Sequence, residues 1–337
     1  MKPFLAALLI LSASPLAARD REPILDMHLH AMHADQQGPP PLAMCTPVLR
    51  MPVWDQREAY ADTFNERLKR PPCADPVWSP ITDEALMRES LEAMERLNII
   101  GVASGPAERV AAWRKARPER IIPGLSFQLQ PELTPAAVRA LHSSGALAVF
   151  GEVTTQYAGI APDDPRLEPY WALAEELDIP VAIHVGTGPT GVIYLGASGY
   201  RARLHSALTM EEVLVRHPKL RVYLAHAGYP MIDDLLALLY AHPQVYVDVG
   251  VIVFTQPRAA FYRYIQRIEE AGFGDRIMFG SDQMVWPGVI ERSVRVIEEA
   301  PFLTPERKRD ILYNNAARFL RLTPEQIAAH RKLGAGR

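Results

Sequence analysis

Five apolar runs in this chain stop at residues able to bind a metal ion. The first, residues 23–29, leads into Asp26-Met27-His28-Leu29-His30. Alternate residues of a strand share a face, so His28 and His30 can aim two imidazoles at one point. That is what a cation needs. Later runs stop at Glu152, at His184, at His226 and at Gly280-Ser281-Asp282. A lone His-x-His says little, but its recurrence with other donors at strand ends describes a constellation. Imidazoles and carboxylates suit zinc and similar divalent ions. Such an ion lowers the pKa of a bound water from about 15.7 to around 7. A neighbouring carboxylate can then take the nucleophile's proton and pass it to a leaving group.

The elements that must position these residues alternate regularly. Apolar strand-like runs are expected at 23–29, 99–103, 121–127, 146–150, 181–183, 220–224, 245–249 and 276–279. Between and after them come helical patterns, near 82–97 and 107–117, from 134 onward, and near 167–177, 209–216, 232–240, 258–271, 289–299, 305–320 and 324–333. Thr82 and the pair Thr134-Pro135 supply recognisable helix starts. Continuous apolar strands indicate burial on both faces, as in a parallel sheet. Eight such strands close most simply into a (β/α)8 TIM-type barrel. The candidate ligands would then come from strands one, four, five, six and eight, all at one mouth. Asp26 is read as a supporting residue. His217 and His242, each before a proline or at a helix end, are read as helix-terminal residues rather than ligands.

Residues 31–80 interrupt the pattern with Gly38-Pro39-Pro40-Pro41 and further prolines, and with one short helix expected near 57–69. An insertion directly after a site strand is expected to shape the pocket. Cys45 and Cys73 both lie in it. Residues 1–18 read as a secretory signal peptide, with a basic start, a short apolar run and small residues before the charged Arg19-Asp20-Arg21-Glu22. Residues 19–337 are then the barrel, in a periplasmic or secreted protein without stable membrane insertion. Export would let the two cysteines pair. The formal charge is −3 over 337 residues. No basic block stands out, so composition gives no support for nucleic-acid or anionic-membrane binding.

The motifs together resemble the amidohydrolase superfamily, and their texture resembles its amidohydrolase-2 branch. Asp26-x-His28-x-His30, His184, Leu224-Ala225-His226-Ala227-Gly228, Val247-Asp248, Phe279-Gly280-Ser281-Asp282 and Asn314-Asn315-Ala316-Ala317-Arg318-Phe319 carry the resemblance over most of 23–321. The family implies a divalent metal, with zinc the expected ion, held by His28, His30 and His184, with Asp282 as ligand or proton carrier. His226 would bind a second ion or hold the substrate carbonyl. Glu152 sits where two-metal members carry a bridging residue, so one ion is expected and two if Glu152 bridges. The implied activity is hydrolysis of a small amide, ester or lactone by metal-bound hydroxide. The alternative is metal-dependent non-oxidative decarboxylation of a small aromatic or unsaturated acid. Arg201, Arg203, His205 and Tyr157 are the expected substrate contacts. The resemblance is also compatible with a homodimer.

Overall fold

The computed structural model describes residues 21–335, so the expected leader lies outside the described residues. The chain opens with β1 (Ile24–His30), fully buried. The insertion follows, and it is more ordered than its prolines suggest. Its strands β2 (Ala43–Met44) and β3 (Val77–Trp78) pair antiparallel, with a helix at Tyr60–Lys69 between them. Two-residue strands are too short to leave any periodicity in the sequence. Cys45 and Cys73 are joined in a disulfide that closes this segment.

The barrel wall continues with β4 (Ile99–Ser104), β5 (Ile121–Pro123), β6 (Phe150–Val153), β7 (Val181–His184), β8 (Val222–Ala225), β9 (Tyr246–Asp248) and β10 (Ile277–Met278). Two parallel ladders run β1-β4-β5 and β6-β7-β8-β9-β10. Hydrogen bonds join them at both seams. Leu125 N donates to Gly151 O and Phe127 N to Glu152 O, each at 2.9 Å, and Phe127 bridges Val153. Across the other seam, Met27 N donates to Phe279 O at 2.9 Å and Asp282 N to His28 O at 2.7 Å. The eight parallel strands form a (β/α)8 barrel.

Two strands differ most from their expected bounds. The run expected at 121–127 makes regular pairs only over β5. The run expected at 146–150 pairs from Phe150 onward, because Ala148 N and Val149 N both turn to Pro123 O. Helix starts follow local chemistry more closely. Thr82 accepts from Ala85 N and opens Asp83–Arg96, and Thr134 accepts from Ala137 N ahead of Pro135. The single helix expected at 305–320 is instead Pro305–Arg309 and Asn315–Phe319, separated by a π-helical turn, Asp310–Asn314.

The larger apolar core lies between strands and surrounding helices. A smaller cluster draws Leu25, Met27, Ile100, Val102, Tyr223 and Met278 together from across the barrel, with Tyr313 and Phe319 packed against them. Tyr223 Oη reaches Met27 O at 2.8 Å across this interior. The barrel is therefore filled below and polar above. The register of β1 against β4 shifts between Asp26 and Leu29. Such a bulge re-aims side chains. It lets Leu25 and Met27 pack inside while His28 and His30 face the same interior one layer higher. A second shift, between Phe150 and Val153, surrounds Glu152.

Candidate metal centre

The structure brings His28, His30, Glu152, His184, His226 and Asp282 to one buried place at the carboxyl ends of the strands. Donor atoms of three overlapping sets lie within 4.8 Å of one another: His28, His30 and Glu152; Glu152, His184 and His226; His28, His226 and Asp282. His30 Nε2 is 3.0 Å from Asp282 Oδ1. The carboxylate of Glu152 faces both ways. Its Oε2 lies 3.5 Å from His28 Nε2 and 3.7 Å from His30 Nε2. Its Oε1 lies 2.9 Å from His184 Nδ1 and 3.4 Å from His226 Nε2.

The outer nitrogens of these rings fix which nitrogens face inward. His226 Nδ1 donates to Gly250 O at 2.9 Å. A carbonyl only accepts, so in the neutral ring the Nε2 lone pair points to the centre. His28 Nδ1 donates to Asp248 Oδ2 at 3.1 Å, which leaves its Nε2 lone pair inward as well. His30 Nδ1 meets Ser104 Oγ at 3.1 Å. The same hydroxyl reaches Leu29 O at 3.4 Å, so it can accept from the ring. His28 Nε2 and His30 Nε2 then stand only 3.1 Å apart, and His226 Nε2 and His184 Nδ1 only 3.0 Å apart. Lone pairs at such distances repel unless a proton or a cation lies between them. The donor set therefore fits divalent ions, and its outer hydrogen bonds are the kind that orient metal-bound histidines.

The electrostatics agree. Burial disfavours a charge on His28, but Asp282, Asp248 and Glu152 outweigh it and hold its pKa well above the ordinary value. Burial would raise Glu152, yet His28, His184 and His226 hold it well below the usual carboxylate range. Burial likewise opposes ionisation of Asp282, and His28 and His30 reverse that, so it stays ionised. The carboxylates thus attract positive charge to a dry pocket, and without metal the imidazoles supply it. His184 is the exception. Burial, then repulsion from His226, lowers its pKa.

Several supporting residues are absent from the sequence-derived set. Asp248, at the end of β9, accepts from His28 Nδ1, from Gly250 N at 2.7 Å and from His226 N at 3.3 Å. The strand-end criterion that selected the other donors also applies to it. Ser104 ends β4 in the same way. Gln283 clamps the backbone of His30, accepting from its N–H at 3.0 Å and donating to its carbonyl at 2.7 Å. Gln156 Nε2 donates to His184 O at 2.6 Å. No local pattern marks these two glutamines. Asp26, which the sequence does place in a supporting role, accepts from His28 N and Ser281 N, tying β1 to the β10 end. Burial pushes its pKa up to about 7.

The expected substrate contacts divide. Tyr157 packs on His184 with ring centroids 4.9 Å apart, and His205 lies buried beside His184 at 5.2 Å. Arg201 and Arg203 are exposed. The Arg201 guanidinium is turned onto the carbonyls of Ser198 and Tyr200 in its own loop, because these acceptors lie within reach of a short local bend. Above the centre, the insertion meets the loop after β7. Tyr60 Oη donates to Thr190 O at 2.6 Å, and Trp54 packs on Tyr194 at 4.6 Å. Trp78, in β3, is about half exposed.

The amidohydrolase family model matches residues 25–322. The chain belongs to the amidohydrolase superfamily, in its amidohydrolase-2 branch. No functionally curated protein matches it. Solved structures share the barrel. A TIM-barrel protein of Bordetella bronchiseptica has 20% identity and a TM-score of 0.56, over 90% of this chain and 99% of that one. A probable 2-pyrone-4,6-dicarboxylic acid hydrolase of Acinetobacter baumannii has 14% identity and a TM-score of 0.55, over 89% and 99%. A 2,6-dihydroxybenzoate decarboxylase has 14% identity and a TM-score of 0.54, over 90% and 100%. At these identities the likeness concerns the fold.

Proposed function

We propose that the chain is a metal-dependent hydrolase of a small amide, ester or lactone, whose centre would hold two divalent ions with Glu152 shared between them. One observation carries this reading: Glu152 turns one oxygen to the His28–His30 pair and the other to the His184–His226 pair. His28, His30 and Asp282 would hold one ion, and His184 and His226 the other. Bound at these donors, divalent ions acidify water and polarise a carbonyl oxygen. Zinc suits the histidine-rich set, though manganese and iron accept the same donors.

The chain's own residues do the rest. Asp248, Ser104 and Gly250 O hold three imidazoles with their basic nitrogens inward. Asp282 is ionised and can accept the nucleophile's proton at the oxygen not engaged as a ligand, then return it to the leaving group. Tyr157 beside His184, and the insertion where it meets the loop after β7, would border the substrate. A guanidinium clamp on the substrate carboxylate would instead favour decarboxylation. Arg201 is committed to its own loop and Arg203 is exposed, which favours hydrolysis. We also propose that the protein is exported, in keeping with the disulfide between Cys45 and Cys73.

The test is a substrate panel with protein reloaded with zinc or manganese. The expected result is turnover of amides, esters or lactones, lost in Asp282→Asn with both ions retained or reduced by one. Carbon dioxide release from aromatic acids without any hydrolysis would overturn the reading.

A further inference from the structure

Three buried imidazole nitrogens lack a hydrogen-bond partner among the described residues: His184 Nε2 and both nitrogens of His205. All three lie in one place. The rings of His184 and His205 are 5.2 Å apart, with their planes at 88°. Tyr200 covers His205 at 4.4 Å, and Tyr157 meets it edge-on at 5.5 Å. The main chain pins this arrangement. Gly186 N, two residues past His184, donates to His205 O at 2.8 Å. The loop after β7 therefore leaves the centre, closes on itself and returns His205 to the back of His184.

The chemistry of His184 makes this placement consequential. Its Nδ1 faces the centre, 2.9 Å from Glu152 and 3.0 Å from His226. If Nδ1 offers its lone pair to an ion, the ring proton must sit on Nε2. That buried N–H then requires an acceptor. Glu152 cannot serve, because it lies on the Nδ1 side. A neutral imidazole always carries one accepting nitrogen. A centroid separation of about 5 Å is also what an N–H···N contact of about 2.9 Å between two imidazoles produces.

We propose that His205 is a positioning residue, which accepts a hydrogen bond from His184 Nε2–H and so holds His184 in the tautomer whose Nδ1 faces the metal centre. It acts through His184 and does not touch substrate. The inference rests on the proposed metal-binding role of His184, and it holds whether the centre takes one ion or two.

Two measurements test it, using His205→Phe, which keeps ring volume without an acceptor, and His205→Gln, which restores one. The first is Zn2+ affinity by competition with a chelator. His205→Phe should weaken one ion 10- to 100-fold, as loss of an orienting hydrogen bond does, and His205→Gln should recover most of the loss. The second is the tautomer of His184, read from its imidazole 15N shifts in zinc-loaded protein. It should be protonated at Nε2 in wild type and His205→Gln, with that proton in fast exchange or lost in His205→Phe. Unchanged affinity and an unchanged Nε2–H signal in a folded His205→Phe protein would overturn the proposal. Ion count in wild type addresses the bridged centre separately. A single ion there would contradict the two-ion reading while the tautomer measurement still decided the role of His205.

Discussion

Asp248 and His205 have opposite relations to the centre. Asp248 accepts from His28 Nδ1 and would strengthen that ring as a ligand. His205 is a neutral neighbour whose own protonation is strongly opposed. Burial, with repulsion from His184 and His226, pulls its pKa down to about 3. The free imidazole titrates near 6.5, so between these values the unfolded chain binds a proton that the folded chain refuses. The stability associated with neutral His205 is complete above about pH 6.5 and is lost as pH falls toward 3. Metal-free His205→Gln protein should lack this contribution. Its stability to urea should decline less steeply than wild type's between pH 6.5 and 4, by up to about 1.4 kcal/mol for each pH unit. Parallel pH profiles would show that His205 does not titrate as its surroundings demand.

At the scale of elements, backbone proximity matters as much as side-chain choice. Gly250 follows β9 by two residues, and a Cβ there would stand 2.8 Å from His28 Nδ1 and 2.9 Å from Asp248 Oδ1. Gly250→Ala should therefore separate His28 from Asp248 and reduce metal content, with secondary structure by circular dichroism unchanged. Full metal occupancy in that variant would mean the ring can shift without consequence. In the insertion, the disulfide spans a sequence separation of 28 residues. In the chain-entropy picture such a loop gains about 3–4 kcal/mol from cross-linking. Cys73→Ser should raise the protease sensitivity of residues 46–72 while leaving the barrel intact, as limited proteolysis would show. Cleavage within the barrel at the same rate would place the effect on the whole fold instead.

Over the whole molecule, the barrel and the gathering of the candidate donors at one place were legible because both obey local periodic rules. Buried strands leave apolar runs, and site residues fall where those runs stop, as His184 does after Val181-Ala182-Ile183. What supports the donors was less legible. Gln283 and Gln156 act on backbone groups of His30 and His184 that are distant in sequence, so no local spacing points to them. The β1 bulge was also invisible, because register is a property of two strands. The surroundings of Arg201 were hidden for a related reason: which carbonyls a loop guanidinium meets, here those of Ser198 and Tyr200, depends on the path of the loop.

The central claim, that Glu152 bridges two ions, is tested most directly by metal content per chain. Wild type and Glu152→Gln would be purified without chelator and compared by elemental analysis. The amide keeps the shape of the carboxylate but removes the charge that holds both ions together. Two ions per chain falling to one on substitution is the predicted result. One ion in both proteins would contradict the bridged centre and leave Glu152 as a buried carboxylate beside a single ion.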